Sequence, residues 1–252
     1  MYDLQAAETV PQFDIAKAFP LHTASIACFN CMQRVNCLPS GLSDADLSVI
    51  DDAVEGRKTI KRGISLFRSG EAFVALYAIR TGFFKTIVNS SDGRDQVTGF
   101  HMAGEIMGLD GFMSNQHHSD AVALEDAEIC MISTSKLDAH KATSKLFQKH
   151  MYHLMSSEIV REQSIMLLLG NMRAEERVAT FLTNLVKRLH ARGFSRSELV
   201  LRMTRDEIGS YLGLKLETVS RVFSKLSGQG ILDVNVRKIR ILNQDALQQY
   251  AC

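Results

Sequence analysis

The chain is predicted to have an α+β fold in which an antiparallel β sandwich or barrel is followed by a long helix and then by a helix-turn-helix with a β-ribbon wing. Three observations predict it. Eight glycines between residues 63 and 111 punctuate short apolar runs, the pattern of brief strands between frequent turns. Residues 144–169 contain neither proline nor glycine and repeat their apolar residues at helical spacing. The stretch Met203–Arg221 carries a capping residue, a turn glycine and two apolar stripes, the grammar of two helices meeting at a tight turn.

The first 45 residues read as an irregular arm, because they hold all three prolines (Pro11, Pro20 and Pro39) and no sustained period. Residues 46–143 form the β unit. Its strand candidates include Phe73–Ile79, Phe83–Val88, Gln96–His101 and Val122–Leu124, and Ser91-Asp92-Gly93 places Asp-Gly between two of them, a strong hairpin signal.

Residues 144–170 form the long helix. Met155, Ile159, Glu162, Met166 and Leu169 recur at intervals of 4, 3, 4 and 3, the seam of a two-helix coiled coil, so a homodimer is expected, with packing against its own domain as the alternative. Glu162 does not suit a tight dimer. Two carboxylates facing each other across a two-fold axis repel and are costly to desolvate, which predicts a marginal, switchable association. Gly170 and Asn171 are expected to end this helix, with Asn171 capping the next, which runs from Arg173 to about Arg192 and stops at Gly193.

Residues 171–252 form the last unit. Thr204 and Glu207 make a capping box, Ile208 and Leu212 an inner face, Gly213 the turn, and Leu216, Val219 and Phe223 the inner face of the second helix. Its outer face carries Glu217, Ser220, Arg221, Ser224 and Lys225 near the helix start, where a helix-turn-helix presents side chains to the major groove of double-stranded DNA. Arginine pairs bidentately with guanine, and glutamate accepts from cytosine. Lys215, at the N-cap position of that helix, has no acceptor to offer. Ile231–Leu242 alternates and carries Arg237, Lys238 and Arg240, which suits a wing touching phosphates.

Charge agrees with this polarity. The formal net charge is only +1, yet from Val186 onward there are 12 Lys and Arg against 6 Asp and Glu, while the rest is acidic. No apolar run is long enough to span a bilayer, and the start lacks a basic and apolar leader, so a cytoplasmic protein without membrane contact is expected.

Five cysteines, an odd number in a chain large enough to bury a core, argue against a disulfide framework and for metal or redox chemistry. Cys28, Cys31 and Cys37 form C-x2-C-x5-C in the arm, Cys130 lies in the strand-like run Ala127–Ile132, and Cys252 is set aside. Four soft ligands suit a [4Fe–4S] cluster, and tetrahedral zinc uses the same set, with unliganded thiols as a third reading. His101, His117 and His118 sit in strand or turn contexts, and no catalytic constellation accompanies them, so an enzyme is not expected.

These residues resemble the FNR (fumarate and nitrate reduction) regulators, the oxygen-sensing branch of the cAMP receptor protein superfamily, over about residues 25 to 250. The carrying residues are the four cysteines, Glu158-Ile159 with Glu162, Ala174-Glu175-Glu176-Arg177, and Glu217 with Ser220-Arg221. The resemblance implies an N-terminal β jelly-roll sensor domain, a dimerisation helix and a C-terminal winged helix-turn-helix. It implies a [4Fe–4S] cluster on Cys28, Cys31, Cys37 and Cys130 that promotes dimerisation and DNA binding and is destroyed by oxygen. A TTGAT-type palindrome read by Glu217, Ser220 and Arg221 is implied too, as is contact of the Ser91-Asp92-Gly93-Arg94 tip with RNA polymerase in an activator of anaerobic metabolism. One departure concerns the superfamily's nucleotide pocket. Leu109 follows Gly108 where a ribose-binding glutamate is expected, and His117-His118-Ser119 replaces the phosphate-binding Arg-Ser, so no cyclic nucleotide is expected.

Overall fold

The computed structural model describes residues 28–38, 40–89, 93, 95–139 and 145–251. Ser91, Asp92 and Arg94 of the proposed polymerase tip, and Cys252, lie outside the described residues.

After a short 3-10 turn at Cys28–Asn30, helix α1 (Asp44–Ala53) starts from Ser43, whose hydroxyl accepts the Asp46 N–H. Strands β1 (Val54–Ile60), β2 (Ser65–Phe67), β3 (Ala75–Thr81), β4 (Phe83–Asn89), β5 (Asp95–Met102), β6 (Ile106–Met107), β7 (Asp120–Ala123) and β8 (Ala127–Ser133) follow. They form two antiparallel four-stranded sheets, ordered β1-β8-β3-β6 and β2-β7-β4-β5, that enclose a core including Tyr77, Ile79, Phe84, Ile129 and Met131. β4 and β5 are the expected hairpin: Asn89 pairs with Asp95, and Gly93 in the connection has φ +81°.

β3 reads as a continuous apolar run because its sheet is covered on both faces. Ala75, Tyr77 and Ile79 face the inter-sheet core, while Leu76 and Ala78 join a second core with Leu38, Leu47, Ile50 and Ile132 beneath α1 and the cysteine arm. Cys130 sits in mid-strand on this outer face, paired with Arg57 on β1 and Ala78 on β3.

Helix α2 (Thr134–Ala139) leads to α3 (Lys145–Asn171) and α4 (Ala174–His190). The boundary differs from the one expected. α3 runs through Gly170 and Asn171, and the N-cap of α4 is Arg173, whose N–H donates to the Glu176 carboxylate at 2.8 Å. The Arg177 guanidinium donates to the carbonyls of Leu169, Met172 and Leu212 at 2.8, 2.8 and 2.9 Å, satisfying orphan carbonyls at the end of α3 and at Leu212, while Arg173 with Glu176 serves the start of α4 that Asn171 was expected to cap.

Strand β9 (Glu198–Val200), helices α5 (Arg205–Leu212) and α6 (Leu216–Gly228), strands β10 (Leu232–Asn235) and β11 (Lys238–Ile241) and helix α7 (Gln244–Tyr250) complete the chain. β10, β11 and β9 form an antiparallel wing sheet. The core of this unit continues into the β sandwich: Phe100 on β5 packs against Phe181 and Tyr211 at ring distances of 6.0 and 5.1 Å. Among the described residues no helix is long and apolar enough to cross a membrane.

Candidate nucleic-acid interface and cysteine site

α5 begins at Thr204, whose hydroxyl accepts the Glu207 N–H at 3.1 Å, while the Thr204 N–H donates to the Glu207 carboxylate at 2.6 Å. Ile208 and Leu212 are fully buried, and Gly213 closes the helix at φ +62°, ψ +38°, a left-handed turn that glycine adopts without steric cost. α6 then starts at Lys215 without a side-chain cap.

Val219, Val222, Phe223 and Leu226 form the buried stripe of α6, and Leu216 does not belong to it, being 43% exposed. Helical side chains lean toward the N-terminus, so a residue in the first position projects past the end of its helix instead of onto the core. On the opposite face Glu217 and Arg221 are exposed and Ser220 is half-buried. Among the described residues the side chains of Glu217 and Arg221 have no hydrogen-bond or ion-pair partner, which leaves both free for an external one.

The basic surface is narrower than the residue count implies. Arg188 and Arg192 hold Glu105, Arg202 pairs with Glu125, Lys225 with Glu175 and Arg240 with Glu198. Arg205 lies 3.4 Å over the Phe223 ring, and burial pulls its pKa down to about 10. Lys215, Arg221 and Lys238 remain exposed around the turn, α6 and wing.

The cysteine arm is a chain of tight turns. The Cys31 N–H donates to Cys28 O, Arg34 to Cys31, Asn36 to Gln33 and Ser40 to Cys37, at 2.9 to 3.1 Å, and the Cys28 N–H is anchored on the Asp51 carboxylate at 2.7 Å. This folding brings Cys28, Cys31 and Cys37 to Cys130, and all four free thiols line one cavity of about 20 Å³ whose other walls are mainly Ile50, Val54, Ala78 and Ile132. Burial pushes the Cys37 thiol up to about 12 and raises Cys28, helped by Asp51, and Cys130, despite the opposing Arg57. Those three thiols are neutral at pH 7 unless a cationic centre displaces their protons. Among the described residues no three His, Cys, Asp or Glu side chains are spaced to hold a metal ion.

On α3, Met155 and Leu169 are half-buried, Ile159 and Met166 are 55% and 71% exposed, and Glu162 is exposed between them. Tyr152, Val160 and Leu167 add apolar surface that the heptad pattern missed. Beside this stripe, between α3 and the sandwich, lies a cavity of about 390 Å³. It is lined by Asp110, Glu158 and Glu162 and by no lysine or arginine among the described residues. His101 and His117 are buried and structural: His117 stacks on Phe67 at 3.7 Å, and burial holds His101 well below the usual imidazole pKa.

Comparison with known proteins agrees with this architecture. Residues 57–143 match the cyclic nucleotide-binding domain family and residues 176–250 the Crp-like helix-turn-helix domain. The chain is 41% identical to the transcriptional regulatory protein btr of Bordetella pertussis, over 91% of this chain and 95% of that protein. It is 39% identical to the fumarate and nitrate reduction regulatory protein of Escherichia coli over 96% and 97%, and 38% identical to electron transport regulator A of Shewanella oneidensis over 90% and 91%. The solved structure of FixK2 from Bradyrhizobium japonicum superimposes with a TM-score of 0.72 at 31% identity, covering 78% of this chain and 96% of that one. A sandwich, a long helix and a winged helix-turn-helix, matched along nearly the whole length by such relatives, place this chain in the FNR (fumarate and nitrate reduction) family of transcription regulators, as a DNA-binding regulator and not an enzyme.

Proposed function

We propose that the chain is an oxygen-responsive regulator of anaerobic metabolism, in which Cys28, Cys31, Cys37 and Cys130 hold a [4Fe–4S] cluster that promotes dimerisation and operator binding. The observation that carries this reading is the convergence of four free thiols, three from the arm and one from mid-strand β8, on a single apolar cavity. When bound, such a cluster supplies an inorganic core that ties arm to sandwich and is lost in oxygen.

The residues fit this group by their chemistry: four soft donors, apolar walls and no competing oxygen ligand among the lining residues. A cavity of about 20 Å³ holds roughly one water, so the arm would have to shift to hold a larger centre. Four thiolate donors suit a cluster, one thiolate per iron, and equally tetrahedral zinc, so the bound metal itself separates the two readings. Iron and acid-labile sulfide content, measured with oligomeric state before and after exposure to air, tests the reading. Zinc in place of iron would leave a zinc- or thiol-switched regulator on the same scaffold.

In the active dimer α3 pairs along Met155, Ile159, Met166 and Leu169, and each α6 offers Glu217, Ser220 and Arg221 to one half of a TTGAT-type palindrome, a two-fold site for a two-fold protein. The Ser91-Asp92-Gly93-Arg94 tip is the proposed contact with RNA polymerase. The acidic cavity beside α3 opposes a cyclic phosphate, which supports the expectation that no cyclic nucleotide acts here.

Glu162 supplies the restoring force toward monomers. It stands one turn from Glu158, whose pKa is raised by burial although Arg161 opposes the shift. Glu162→Ala is expected to raise the dimer population in air, read by sedimentation; an unchanged distribution would remove the repulsion from the mechanism.

A further inference from the structure

We infer that Glu105 is a positioning residue through which the state of the cysteine arm reaches the DNA-reading unit, by a route separate from the one to the dimerisation helix. The inference rests on the arm being the sensing element, as proposed above.

Glu105 lies in the turn between β5 and β6, and this turn is rigidly held. The Gly104 N–H donates to Ile79 O at 2.8 Å, the Ile79 N–H to Glu105 O at 2.9 Å, and the Glu105 N–H to Met102 O at 3.0 Å. On one side the turn abuts the arm. Gly104 has φ +89°, and a Cβ there would lie 2.7 Å from the Asn36 Cβ and 3.1 Å from the Asn36 carbonyl, so nothing larger than glycine fits against the residue that precedes Cys37.

On the other side the Glu105 carboxylate is gripped by Arg188 on the last turn of α4 and by Arg192 just beyond it. Arg188 holds it with both Nε and Nη2, at 3.2 and 2.7 Å, and Arg192 with Nη2 at 2.8 Å. The same two guanidinium groups donate to Phe100 O and Ala103 O, each at 2.6 Å. Arg161 on α3 is more remote, at 4.0 Å. Upstream on α4, Phe181, Leu182 and Leu185 belong to the buried core shared with α5 and α6.

Among the described residues, the other ties between sandwich and DNA-reading unit include Lys85 with Glu207, Gln96, Val97 and Asp95 with Ser210, Arg202 with Glu125, and Phe100 packed on Phe181 and Tyr211, and these involve no arm residue. The dimerisation helix is reached differently, by Met151 and Leu154 packing on the core that contains Cys28, Cys37 and Cys130. A change in the position of the arm is therefore felt at Gly104 through Asn36, and Glu105 passes it to Arg188 and Arg192, while α3 responds through apolar packing.

Glu105→Gln separates the two outputs. With the full chain measured anaerobically and after air, iron content and the change in dimer fraction are expected to match wild type. The ratio of the two forms' affinities for the palindrome, corrected to dimer concentration, is expected to shrink by about tenfold. A ratio equal to wild type overturns the inference. So does a wild-type ratio that vanishes once dimerisation is accounted for, since no second route then exists. Should Glu105→Gln not melt cooperatively, Arg188→Lys, which keeps the charge and gives up the two-point grip, carries the same test.

A second arm does not depend on iron. Gly104→Ala presses on the arm directly, so its effect on DNA affinity is expected to differ by about fivefold or more between the wild-type and Glu105→Gln backgrounds. Equal effects in the two backgrounds sink the inference whatever the metal content, whereas absent iron together with unequal effects sinks only the cluster reading.

Discussion

Cys130→Ala protein prepared without oxygen is expected to contain no iron or sulfide and to bind its palindrome only as tightly as random DNA, a loss on the order of 10³-fold or more. The substitution removes the proposed ligand that comes from the sandwich and not from the arm. Cys130 lies mid-strand between Arg57 and Ala78, so alanine leaves the ladder of β8 intact and takes away only a half-buried sulfur. Circular dichroism should therefore show an unchanged fold beside the lost metal. Iron content equal to wild type would dismiss Cys130 as a ligand, and with it the convergence on which the proposal rests.

The same thiols give the metal-free protein a pH signature. The folded-state pKa of Cys37 stands near 12 against an ordinary value of 9.0, chiefly because burial disfavours the thiolate. A group with a raised folded-state pKa contributes stability that is fully present below the unfolded value and is lost as pH rises toward the folded one. Metal-free protein is thus expected to lose stability between about pH 9 and 12, followed by thermal denaturation, and Cys37→Ala should make that loss smaller, the raised Cys28 and Cys130 keeping the rest. A parallel decline in both proteins would show that the thiol is not buried in solution as it is in the structure.

Arg221→Ala is expected to cost about 1 to 3 kcal/mol on the specific palindrome and little on random DNA, measured by competition at one fixed salt concentration. Arg221 is exposed and has no protein partner among the described residues, so its removal costs the fold almost nothing and the change reports on the complex alone. Its planar fork can reach two acceptors on one guanine edge, which is what makes a single side chain discriminate between bases. Equal losses on both DNAs would reassign Arg221 to a phosphate. Lys225 on the same face makes a poorer probe, because it already pairs with Glu175 at 2.9 Å.

These experiments bear on the two regions that were most and least legible in the residue order. The helix-turn-helix could be read directly. Thr204 with Glu207, Gly213, and the stripes through Ile208, Leu212, Val219 and Phe223 all act within one or two helical turns, where spacing dictates contact. The misplacement of Leu216 shows where such reading stops, since periodicity names a face without saying where the neighbouring core ends. The boundary at Asn171 failed for another reason: Arg177 holds the last carbonyls of α3, and Arg173 with Glu176 caps α4, so neither helix end needed Asn171.

The basic count at the C-terminal end was likewise only half a guide. Several of those cations are bound to carboxylates on the sandwich or on neighbouring elements, and Glu105 draws in two of them. No spacing rule links Glu105 to Arg188 and Arg192, and nothing in the order of residues sets Gly104 against Asn36.

Residue order was sufficient for the class of architecture, the reading helix and the identity of four candidate sulfur ligands, because caps, turns and apolar periods are short-range chemistry. Only the folded chain brings Cys130 to the three cysteines of the arm, leaves the α3 stripe uncovered and sets Gly104 against Asn36 beside a carboxylate held by Arg188 and Arg192. Those are contacts between segments far apart in sequence, and they are settled by strand register and by which faces of the sandwich are covered, quantities that no local pattern encodes.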